Sequence, residues 1–430
     1  MTVSLIGFLV VFLLMGLRVP IAIAMGLVGF AGLALLRSWD VSLISTVLVI
    51  KSTGFSYTLS VIPLFLLMGN IAARAGMASE LFELARSFLG HRRGGVAMAA
   101  VGASGGFGAI CGSSIATTAT IAKVAYPEMR KLGYSEKLIS GTIASGGTLG
   151  ILIPPSTILI IYGILTETNI GKLFAAAFLP GLLSVVLMCS MVAFWARLQP
   201  QVAPRSARQP WSVRLRALRK VWGVVALFLL VIGGIYGGLF TATEGAGFGA
   251  FGTLALAVGR RRIGWAGLAE AVNDSTRTTA ILFAILMGAL IFGNFINFTG
   301  MPWQLQQFVE QFSVNPTVVV LMICAIYLLL GCVMEELSMI MLTIPVFFPI
   351  IVALGLDPYW FGIVVVMVVM IGMISPPVGM NLFVLSSITP GLSIKTIYQG
   401  VIPFIAALLS SLLILILFPD LATLLTRWVA

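Results

Sequence analysis

The chain has 430 residues, of which 60% are hydrophobic and only 9% are charged. Soluble domains carry about 25% charged residues, so the composition excludes a soluble globular protein and predicts an all-α polytopic membrane protein. The net charge of +11 does not indicate a nucleic-acid partner, because the basic residues lie in short loops between apolar runs. Basic residues in such loops set the orientation of a membrane protein in the bilayer.

Ten apolar segments are predicted to cross the bilayer as helices. They are residues 2–17, 19–36, 55–74, 138–165, 172–196, 221–240, 243–259, 278–298, 358–388 and 395–418. The first is expected to be a retained span rather than a signal peptide, because no basic segment precedes it and no small-residue cleavage site is evident.

Three amphipathic segments are predicted to lie along the membrane surface rather than across it. Residues 77–91 and 262–275 are expected at the inner surface, and residues 302–312 at the outer surface. Residues 197–220 are the longest polar stretch of the chain, so we interpret them as a cytoplasmic linker between two halves.

Two further apolar stretches, residues 94–130 and 315–350, are too long for one span and have no polar loop at their centres. We predict that each forms a re-entrant helical hairpin, which enters and leaves the membrane on the same side. The tip of the first reads G-A-I-C-G-S-S-I-A-T-T-A-T, and the tip of the second reads L-L-G-C-V-M-E-E-L-S-M.

The distribution of basic residues predicts the orientation. With the N-terminus outside, 20 Lys and Arg residues fall inside, four fall outside, and Lys123 lies within the first hairpin. Such a strong positive-inside bias places both termini in the periplasm, for a multi-pass protein of a bacterial inner membrane.

These elements divide the chain into five predicted parts. Residues 1–93 are scaffold helices with a surface helix, and residues 94–196 are a first transport repeat, made of a hairpin and a broken helix. Residues 197–314 contain the linker and further scaffold helices, residues 315–418 are a second transport repeat, and residues 419–430 are a periplasmic tail.

The two transport repeats share a pattern of prolines and glycines. The pair Pro154-Pro155 recurs 222 residues later as Pro376-Pro377, and Pro127 and Pro349 match at the same spacing. Five predicted crossings separate the copies, so we expect inverted-topology repeats. Paired interrupted segments in the two halves of a membrane protein indicate the binding site of a secondary transporter.

The double prolines predict two broken helices. A continuous helix over residues 138–165 would be about 42 Å long at roughly 1.5 Å per residue, against a hydrocarbon core of about 30 Å. An unwound section near the membrane centre survives only where it is buried in protein or lines a wet cavity. Its free carbonyls can coordinate Na⁺, and the following helix N-terminus can face an anion. The alternative is that each proline pair marks only a kink.

The hairpin tips supply further oxygen atoms, which hard cations prefer. Each candidate also has a structural interpretation. Ser113, Ser114 and Thr117 could serve close helix packing. An acidic pair within the membrane is usually functional, but Glu335 and Glu336 could form an ion pair or cap a helix.

Two further charged residues have alternative roles. Lys123 could attract a substrate carboxylate or extend toward the membrane surface. Glu244, in T-A-T-E-G, is expected to belong to the scaffold.

The remaining reactive side chains do not indicate an enzyme or an organic cofactor. All four cysteines lie in apolar segments and are interpreted as small buried residues. His91 is the single histidine, which excludes bis-histidine haem ligation, and the sequence shows neither a cysteine–histidine cluster for a metal nor a nucleophile–histidine pair. An ion channel is a further alternative, which non-saturable flux without Na⁺ would support.

Several stretches together resemble the large membrane subunit of TRAP (tripartite ATP-independent periplasmic) transporters. They include P-L-F-L-L-M-G-N-I-A-A-R-A-G-M at 63–77, G-G-T-L-G-I-L-I-P-P-S at 146–156 and I-S-P-P-V-G-M-N at 374–381. The resemblance covers nearly the whole chain. One departure is T-A-T-E-G-A at 241–246, where the family usually has T-P-T-E-A-A.

The resemblance implies Na⁺-coupled uptake of a small organic acid by an elevator mechanism, with two or more Na⁺ ions and no ATP. It also implies two separate partner chains, a small four-helix membrane subunit and a periplasmic solute-binding protein that delivers the substrate. The alternative is a related Na⁺-coupled anion carrier that works without a binding protein. Which organic acid is carried is not encoded in a recognisable motif.

The resemblance further implies two sodium sites, each joining a hairpin tip to a helix break. The first is expected to use Gly112, Ser113, Ser114, Gly146, Gly147, Gly150 and Pro154. The second is expected to use Gly331, Glu335, Ser338, Gly372, Ser375, Pro376 and Gly379. The substrate is expected between them, near Ser113, Ser114, Thr117, Lys123, Glu335, Glu336 and Asn381.

Overall fold

A computed structural model describes residues 2–311 and 315–429, without the side chains of residues 308–311. About 82% of the chain is helical, and these ranges contain no strand. The α-helices in them are α1 (Thr2–Gly16), α2 (Ile21–Leu36), α3 (Trp39–Gly54), α4 (Val61–Arg74), α5 (Met77–Leu89), α6 (Gly95–Cys111), α7 (Ser114–Lys131), α8 (Glu136–Thr148), α9 (Thr157–Leu165), α10 (Ile170–Leu198), α11 (Trp211–Tyr236), α12 (Ala242–Gly259), α13 (Trp265–Phe298), α14 (Met301–Gln311), α15 (Pro316–Gly331), α16 (Glu336–Ala353), α17 (Pro358–Gly372), α18 (Met380–Ile388), α19 (Ile394–Leu417) and α20 (Asp420–Thr423).

Side-chain caps start many of these helices. Ser135 and Asp357 accept hydrogen bonds from backbone N–H groups in the first turns of α8 and α17, which satisfies donors that have no partner inside the helix. Thr241 and Glu244 form a reciprocal capping box at the start of α12. Glu244 is therefore a capping residue on an exposed helix end, in agreement with its predicted place in the scaffold.

Among residues 2–311 and 315–429, five helices are long and apolar enough to cross a membrane, and the α3–α4 pair, bent by 55°, would form a sixth if it is one span. The five are α10, α11, α13, α16 and α19. Large apolar side chains face outward on several helices, such as Leu35 on α2, which is 88% exposed. Contiguous exposed apolar surface of this kind is expected where lipid covers a protein.

Helix α3 is absent from the predicted segments. Asp40 and Lys51, together with several Ser and Thr residues, lower the hydropathy of residues 39–54, so hydropathy alone does not detect this helix. It packs against α2 and α13, and these tertiary contacts stabilise it.

The predicted separation of a surface helix at 262–275 from a span at 278–298 is wrong, because α13 is one helix of 34 residues. Its polar first half is held beside the end of α4. Arg74 donates to Glu270, and its Nη2 lies 2.6 Å from Asp274 Oδ2. These ion pairs accommodate the charges that suggested a separate surface segment.

Other boundaries also differ from the prediction. Helix α11 begins at Trp211, so the irregular linker is shorter than the predicted 197–220. Helices α5 and α14 form where amphipathic segments were predicted. The described residues exclude residues 1, 312–314 and 430. The ends of the predicted parts 1–93, 197–314 and 419–430, and of the segment 302–312, fall on these excluded residues.

The two repeats have the same order of elements. Helices α6–α10 correspond to α15–α19, and α7 (114–131) matches α16 (336–353) residue for residue at the spacing of 222. Pro127 and Pro349 lie inside the matched helices. The Pro154–Pro155 and Pro376–Pro377 bonds are both cis.

Packing between the repeats is reciprocal. Helix α9 contacts α16 and α17, while α18 contacts α7 and α8. Helix α8 packs against α19, and α10 packs against α17. Such exchanged contacts are characteristic of two units related by a two-fold axis. Helices α6, α8 and α17, in which almost every residue is buried, all lie within this pair of repeats.

Candidate ion and substrate sites

The first hairpin tip is a tight turn between α6 and α7. Gly112 has a φ of +63°, a conformation that favours glycine. Ser113 follows in extended conformation, and its hydroxyl accepts a hydrogen bond from Ala116 N–H at 3.4 Å. Helix α7 then begins at Ser114, so the tip presents both a helix N-terminus and serine oxygens.

The first helix break lies between α8 and α9 and is buried throughout, except for the partly exposed Ile153. A short 3₁₀ turn follows α8, and Ser156 then caps α9. The Ser156 hydroxyl donates to Ile151 O at 2.5 Å, and Thr157 Oγ1 donates to Gly112 O at 2.8 Å. The second bond ties the break directly to the hairpin tip.

Glycines let the tip and the break come into contact. A Cβ atom at Gly150 would lie 2.6 Å from Thr117 Oγ1 and 2.8 Å from Ser113 O. A Cβ atom at Gly147 would lie 1.8 Å from Thr118 Oγ1. Larger residues cannot occupy either position without moving α7, so backbone and hydroxyl oxygens meet here at close range.

Several buried oxygens around this contact have no hydrogen-bond partner within the described ranges. They are Thr117 Oγ1, Thr118 Oγ1, Thr142 Oγ1, Ser145 Oγ and Asn381 Oδ1. All five side chains are fully buried. An unpaired buried polar group costs about 1–3 kcal/mol, so such a group of oxygens indicates a place that a ligand satisfies.

Asn381 connects the second repeat to the first hairpin tip. It lies at the start of α18, and its Nδ2 donates to Ser114 Oγ at 2.6 Å and to Ala144 O at 3.3 Å. The two repeats therefore share one polar centre, in which α18 of the second repeat meets α7 and α8 of the first.

The second hairpin tip carries carboxylates in place of hydroxyls. Glu335 caps α16, accepting from Ser338 N–H at 3.3 Å and from Ser338 Oγ at 3.1 Å. Glu336 is 3% exposed, and its Oε2 has no hydrogen-bond partner among residues 2–311 and 315–429. Neither glutamate forms an ion pair within those ranges. Of the structural alternatives, the helix cap is therefore realised at Glu335, and the ion pair is not found.

The second helix break lies between α17 and α18. Gly331 at the end of α15 packs against Gly372, since a Cβ atom on Gly331 would lie 2.9 Å from Gly372 Cα. Ser375 Oγ donates to Ile371 O at 2.7 Å, and Tyr398 donates to Pro377 O. The second tip and the second break thus adjoin as the first pair does, but the prolines here are exposed.

A family model described as "Tripartite ATP-independent periplasmic transporter, DctM component" matches residues 8–421. The chain belongs to this DctM family of TRAP transporter large components. It is 35% identical over 378 residues to the C4-dicarboxylate TRAP transporter large permease protein DctM of Pseudomonas aeruginosa, covering 87% of this chain and 88% of that one. It is 30% identical to the sialic acid TRAP transporter large permease protein SiaM of Vibrio cholerae, covering 86% of each chain. These relatives are named as permeases, not enzymes.

The fold of this TRAP large permease also resembles a solved transporter outside its close relatives. The YdaH transporter of Alcanivorax borkumensis superposes with a TM-score of 0.63, covering 88% of this chain and 87% of that chain, at 14% identity. The likeness extends over most of both chains and supports the assignment of a multi-pass membrane transporter fold.

The structure of this TRAP permease brings several predicted residues of the first sodium set together where the first hairpin tip meets the first helix break, and it packs Gly331 against Gly372 of the second set. Gly146 of the first sodium set and Lys123 of the substrate set lie apart from the first of these contacts. Gly146 faces Ser104 on α6, since a Cβ atom there would lie 2.8 Å from Ser104 Oγ. Lys123 is exposed on α7, about 14 Å along the helix from Ser114 at roughly 1.5 Å per residue.

Sequence reasoning missed the oxygens of Thr142 and Ser145. A signal was present, because Thr142 and Ser145 lie three residues apart in α8. That spacing places both on one face of α8. Hydroxyl residues are common in membrane helices for packing, so this spacing alone does not separate a ligand from a packing residue.

Proposed function

We propose that this chain couples the uptake of a small organic acid to the entry of Na⁺, through an elevator movement of its two repeats. The observation that carries the proposal is the pair of tip–break contacts, joined by the hydrogen bond from Asn381 to Ser114. A secondary transporter is expected to bind its ion and substrate where two interrupted segments meet.

The proposed first sodium site lies at the contact of Gly150 with α7. Ser113 O and Thr117 Oγ1 both approach Gly150 closely, and the carbonyls of the unwound segment after α8 lie beside them. The proposed ligands of this site also include Ser114 Oγ, at the start of α7 on the same hairpin tip. Hard cations prefer such carbonyl and hydroxyl oxygens. A sodium ion at this contact would also satisfy the buried Thr117 hydroxyl, which has no partner in the described chain.

The proposed second sodium site lies between the second tip and the second break. Glu335 and Ser338 supply side-chain oxygens there, and the adjoining break supplies carbonyls around Ser375. A cation would also offset the negative charge of Glu335 and the buried Glu336, since acidic side chains are costly within a membrane.

The proposed substrate position lies between the two ion sites, near Ser114, Asn381 and Glu336. A substrate carboxylate next to the acidic tip is repelled unless cations are close by, because Coulomb interactions are strong in a site of low dielectric constant. Sodium binding and substrate binding would therefore depend on each other, and this dependence is the basis of coupled transport.

The energy available from such coupling is sufficient for accumulation. A tenfold Na⁺ gradient supplies about 1.4 kcal/mol per ion, and one net charge moved through about 100 mV supplies about 2.3 kcal/mol. Two Na⁺ ions moving with one monoanion would supply roughly 5 kcal/mol, which corresponds to accumulation of several thousandfold.

The reciprocal packing of the repeats supports the inverted topology and re-entrant hairpins of the proposal. A two-fold axis in the membrane plane would expose the two tips to opposite sides of the bilayer. The proposed location is the bacterial inner membrane with both termini in the periplasm, and the bias in basic residues supports this orientation.

The proposed partners are a small four-helix membrane subunit and a periplasmic solute-binding protein. The proposal rests on membership of the tripartite family. The named substrates of relatives, a C4-dicarboxylate and sialic acid, support an organic acid as the class of substrate.

Reconstituted uptake tests the proposal. The chain and its proposed small subunit would be reconstituted in liposomes with an inward Na⁺ gradient. The proposed periplasmic binding protein and a panel of radiolabelled organic acids would be added outside. We expect saturable uptake that needs both Na⁺ and the binding protein. Uptake that needs Na⁺ but not the binding protein would instead support the binding-protein-independent carrier. Flux that persists without Na⁺ and does not saturate would contradict both.

A further inference from the structure

A basic cavity of about 830 Å³ lies away from both tip–break contacts, where the turn between α5 and α6 meets α10 and the linker. Its charged lining consists of Arg92, Arg93, Arg197 and Arg205, with His91 beside them, and the lining includes no Asp or Glu. The cavity therefore combines several positive charges with no negative charge of its own.

The backbone around the cavity is held in place by specific contacts. Gly94 has a φ of +71°, and a Cβ atom there would lie 2.9 Å from Val192 Cγ1 on α10. Glycine thus lets the H-R-R turn press against α10. The linker is anchored by Ser206 N–H, which donates to Gly90 O at 3.1 Å, and by Val202 O, which accepts from Ser135 N–H at 3.0 Å. These bonds hold Arg205 across the cavity from Arg92 and Arg93.

Some basic residues near the cavity are paired with a carboxylate, whereas the cavity arginines are not. Arg86, Lys220 and Arg260 each pair with a glutamate at 2.6–3.1 Å. Within residues 2–311 and 315–429, the four cavity arginines form no ion pair. In addition, His91 Nδ1 is buried without a hydrogen-bond partner in the described chain. Such a concentration of charge attracts an anion.

The opposite wall of the cavity is apolar and continues onto the outer face of α10. Met98, Val185, Val186, Cys189 and Ala193 line this wall. Val186 is 52% exposed, and Phe194 beyond it is 58% exposed, as expected of a face that contacts lipid. A molecule that fills the cavity is therefore anionic at one end and apolar along its length.

We propose that this cavity binds an anionic phospholipid, with its phosphate held by the arginines and an acyl chain lying along α10. Arginine suits this role because its planar donors bind phosphate in a bidentate manner. Basic pockets between membrane helices on the cytoplasmic side are suited to cardiolipin headgroups, and all four arginines are predicted to face the cytoplasm. Free phosphate makes no favourable contact with an apolar surface, so the apolar wall favours a lipid as the ligand.

Native mass spectrometry of the full purified chain with defined lipids tests the proposal. The probes are cardiolipin, phosphatidylglycerol, zwitterionic phosphatidylethanolamine and inorganic phosphate. The variant is Arg92→Gln with Arg93→Gln and Arg197→Gln. The control is Arg208→Gln with Arg216→Gln and Arg219→Gln, which removes the same charge from exposed residues outside the cavity.

Each arginine near the membrane surface strengthens binding of an anionic lipid by about fivefold. We therefore expect the affinity for cardiolipin to fall roughly 100-fold when three cavity arginines are replaced. The control should stay within about twofold of the wild type, and the single change Arg197→Gln should weaken binding about fivefold. Replacing the three cavity arginines with lysine should preserve most binding and shows whether the triple glutamine variant merely misfolds.

Any one of three results would overturn the proposal. Equal losses in the cavity variant and the control would mean that lipid binds by overall charge and not in the cavity. Displacement of cardiolipin by millimolar inorganic phosphate, or equal binding of phosphatidylethanolamine, would mean that the cavity does not recognise an anionic lipid. Added cardiolipin should also raise the melting temperature of the wild type but not that of the cavity variant.

Discussion

Both helix breaks contain a pair of consecutive prolines between two helices, but the two breaks differ in burial. Pro154 and Pro155 are buried together with the residues that follow them, whereas Pro376 and Pro377 are exposed. The tips opposite them differ as well, since the first presents hydroxyls and the second presents an acidic pair, of which Glu336 is buried and Glu335 is half-buried. The repeat thus conserves the interruption of the helix, while packing and charge have diverged between the copies.

This difference suggests separate contributions from the two sites. The first is closed and held by direct contacts from Thr157, Gly150 and Asn381. At the second site, the charge is carried by the two glutamates of the hairpin tip, and the prolines of the helix break are exposed. Substitutions at the first break should therefore disturb both structure and transport, whereas substitutions at the second should act on transport with less structural cost.

The largest effect is expected for Gly150→Val. Its side chain would meet Thr117 Oγ1 and Ser113 O at less than 3 Å, and overpacking of this kind costs about 1–3 kcal/mol. Because it also separates the tip from the break, uptake in proteoliposomes should fall by at least ~100-fold. Gly102→Ala is the matched control, since a Cβ atom there meets nothing within 4 Å. Near-normal uptake by Gly150→Val would show that the close contact is not required.

The next largest effect is expected for the proline pairs. Pro154→Ala with Pro155→Ala restores two backbone donors and favours a continuous helix, so uptake should fall by about 10–100-fold. The same exchange at Pro376 and Pro377 should cost only a few-fold, because those residues are exposed. Initial uptake rates, normalised to the amount of protein in the membrane, make the comparison. Wild-type uptake by the first double variant would show that transport does not need the break.

A smaller effect is expected for Ser114→Ala, which removes the partner of Asn381 Nδ2. The lost hydrogen bond and lost oxygen should weaken the apparent Na⁺ affinity by about tenfold, or roughly 1.4 kcal/mol. Ser410→Ala is the control, because Ser410 is exposed and bonds only within its own helix. An unchanged Na⁺ dependence in Ser114→Ala would remove this residue from the proposed site.

The smallest effect is expected for Lys123→Ala. Lys123 is exposed and distant from the tip along α7, so the KM for the organic acid should change by less than about twofold. Kinetics of uptake at saturating Na⁺ measure this directly. A large rise in KM would restore the interpretation that Lys123 contacts the substrate carboxylate.

The sequence predicted the parts of this fold that local chemistry determines. Proline pairs and glycine–serine tips interrupt helices through their own backbone restrictions, so the breaks and their repeat could be located in advance. Helix α3 and the continuous helix α13 could not be predicted in this way, because contacts and ion pairs with other helices stabilise them.

The details of the site depend on packing between distant segments. Asn381 and Ser114 are 267 residues apart, and nothing in either stretch predicts their hydrogen bond. Thr142 and Ser145 become candidates only because α8 is buried against α7 and α19. Gly146, in contrast, belongs to the predicted set but faces Ser104.

The Na⁺ dependence of uptake in wild type, Ser114→Ala and Glu335→Gln tests the central claim most directly. If each tip–break contact holds one ion, the wild type should show a Hill coefficient approaching 2, which cannot exceed the number of coupled sites. Each variant should then show a coefficient near 1 at the same protein level. A coefficient that stays at the wild-type value in both variants, or uptake without any Na⁺ dependence, would contradict the account.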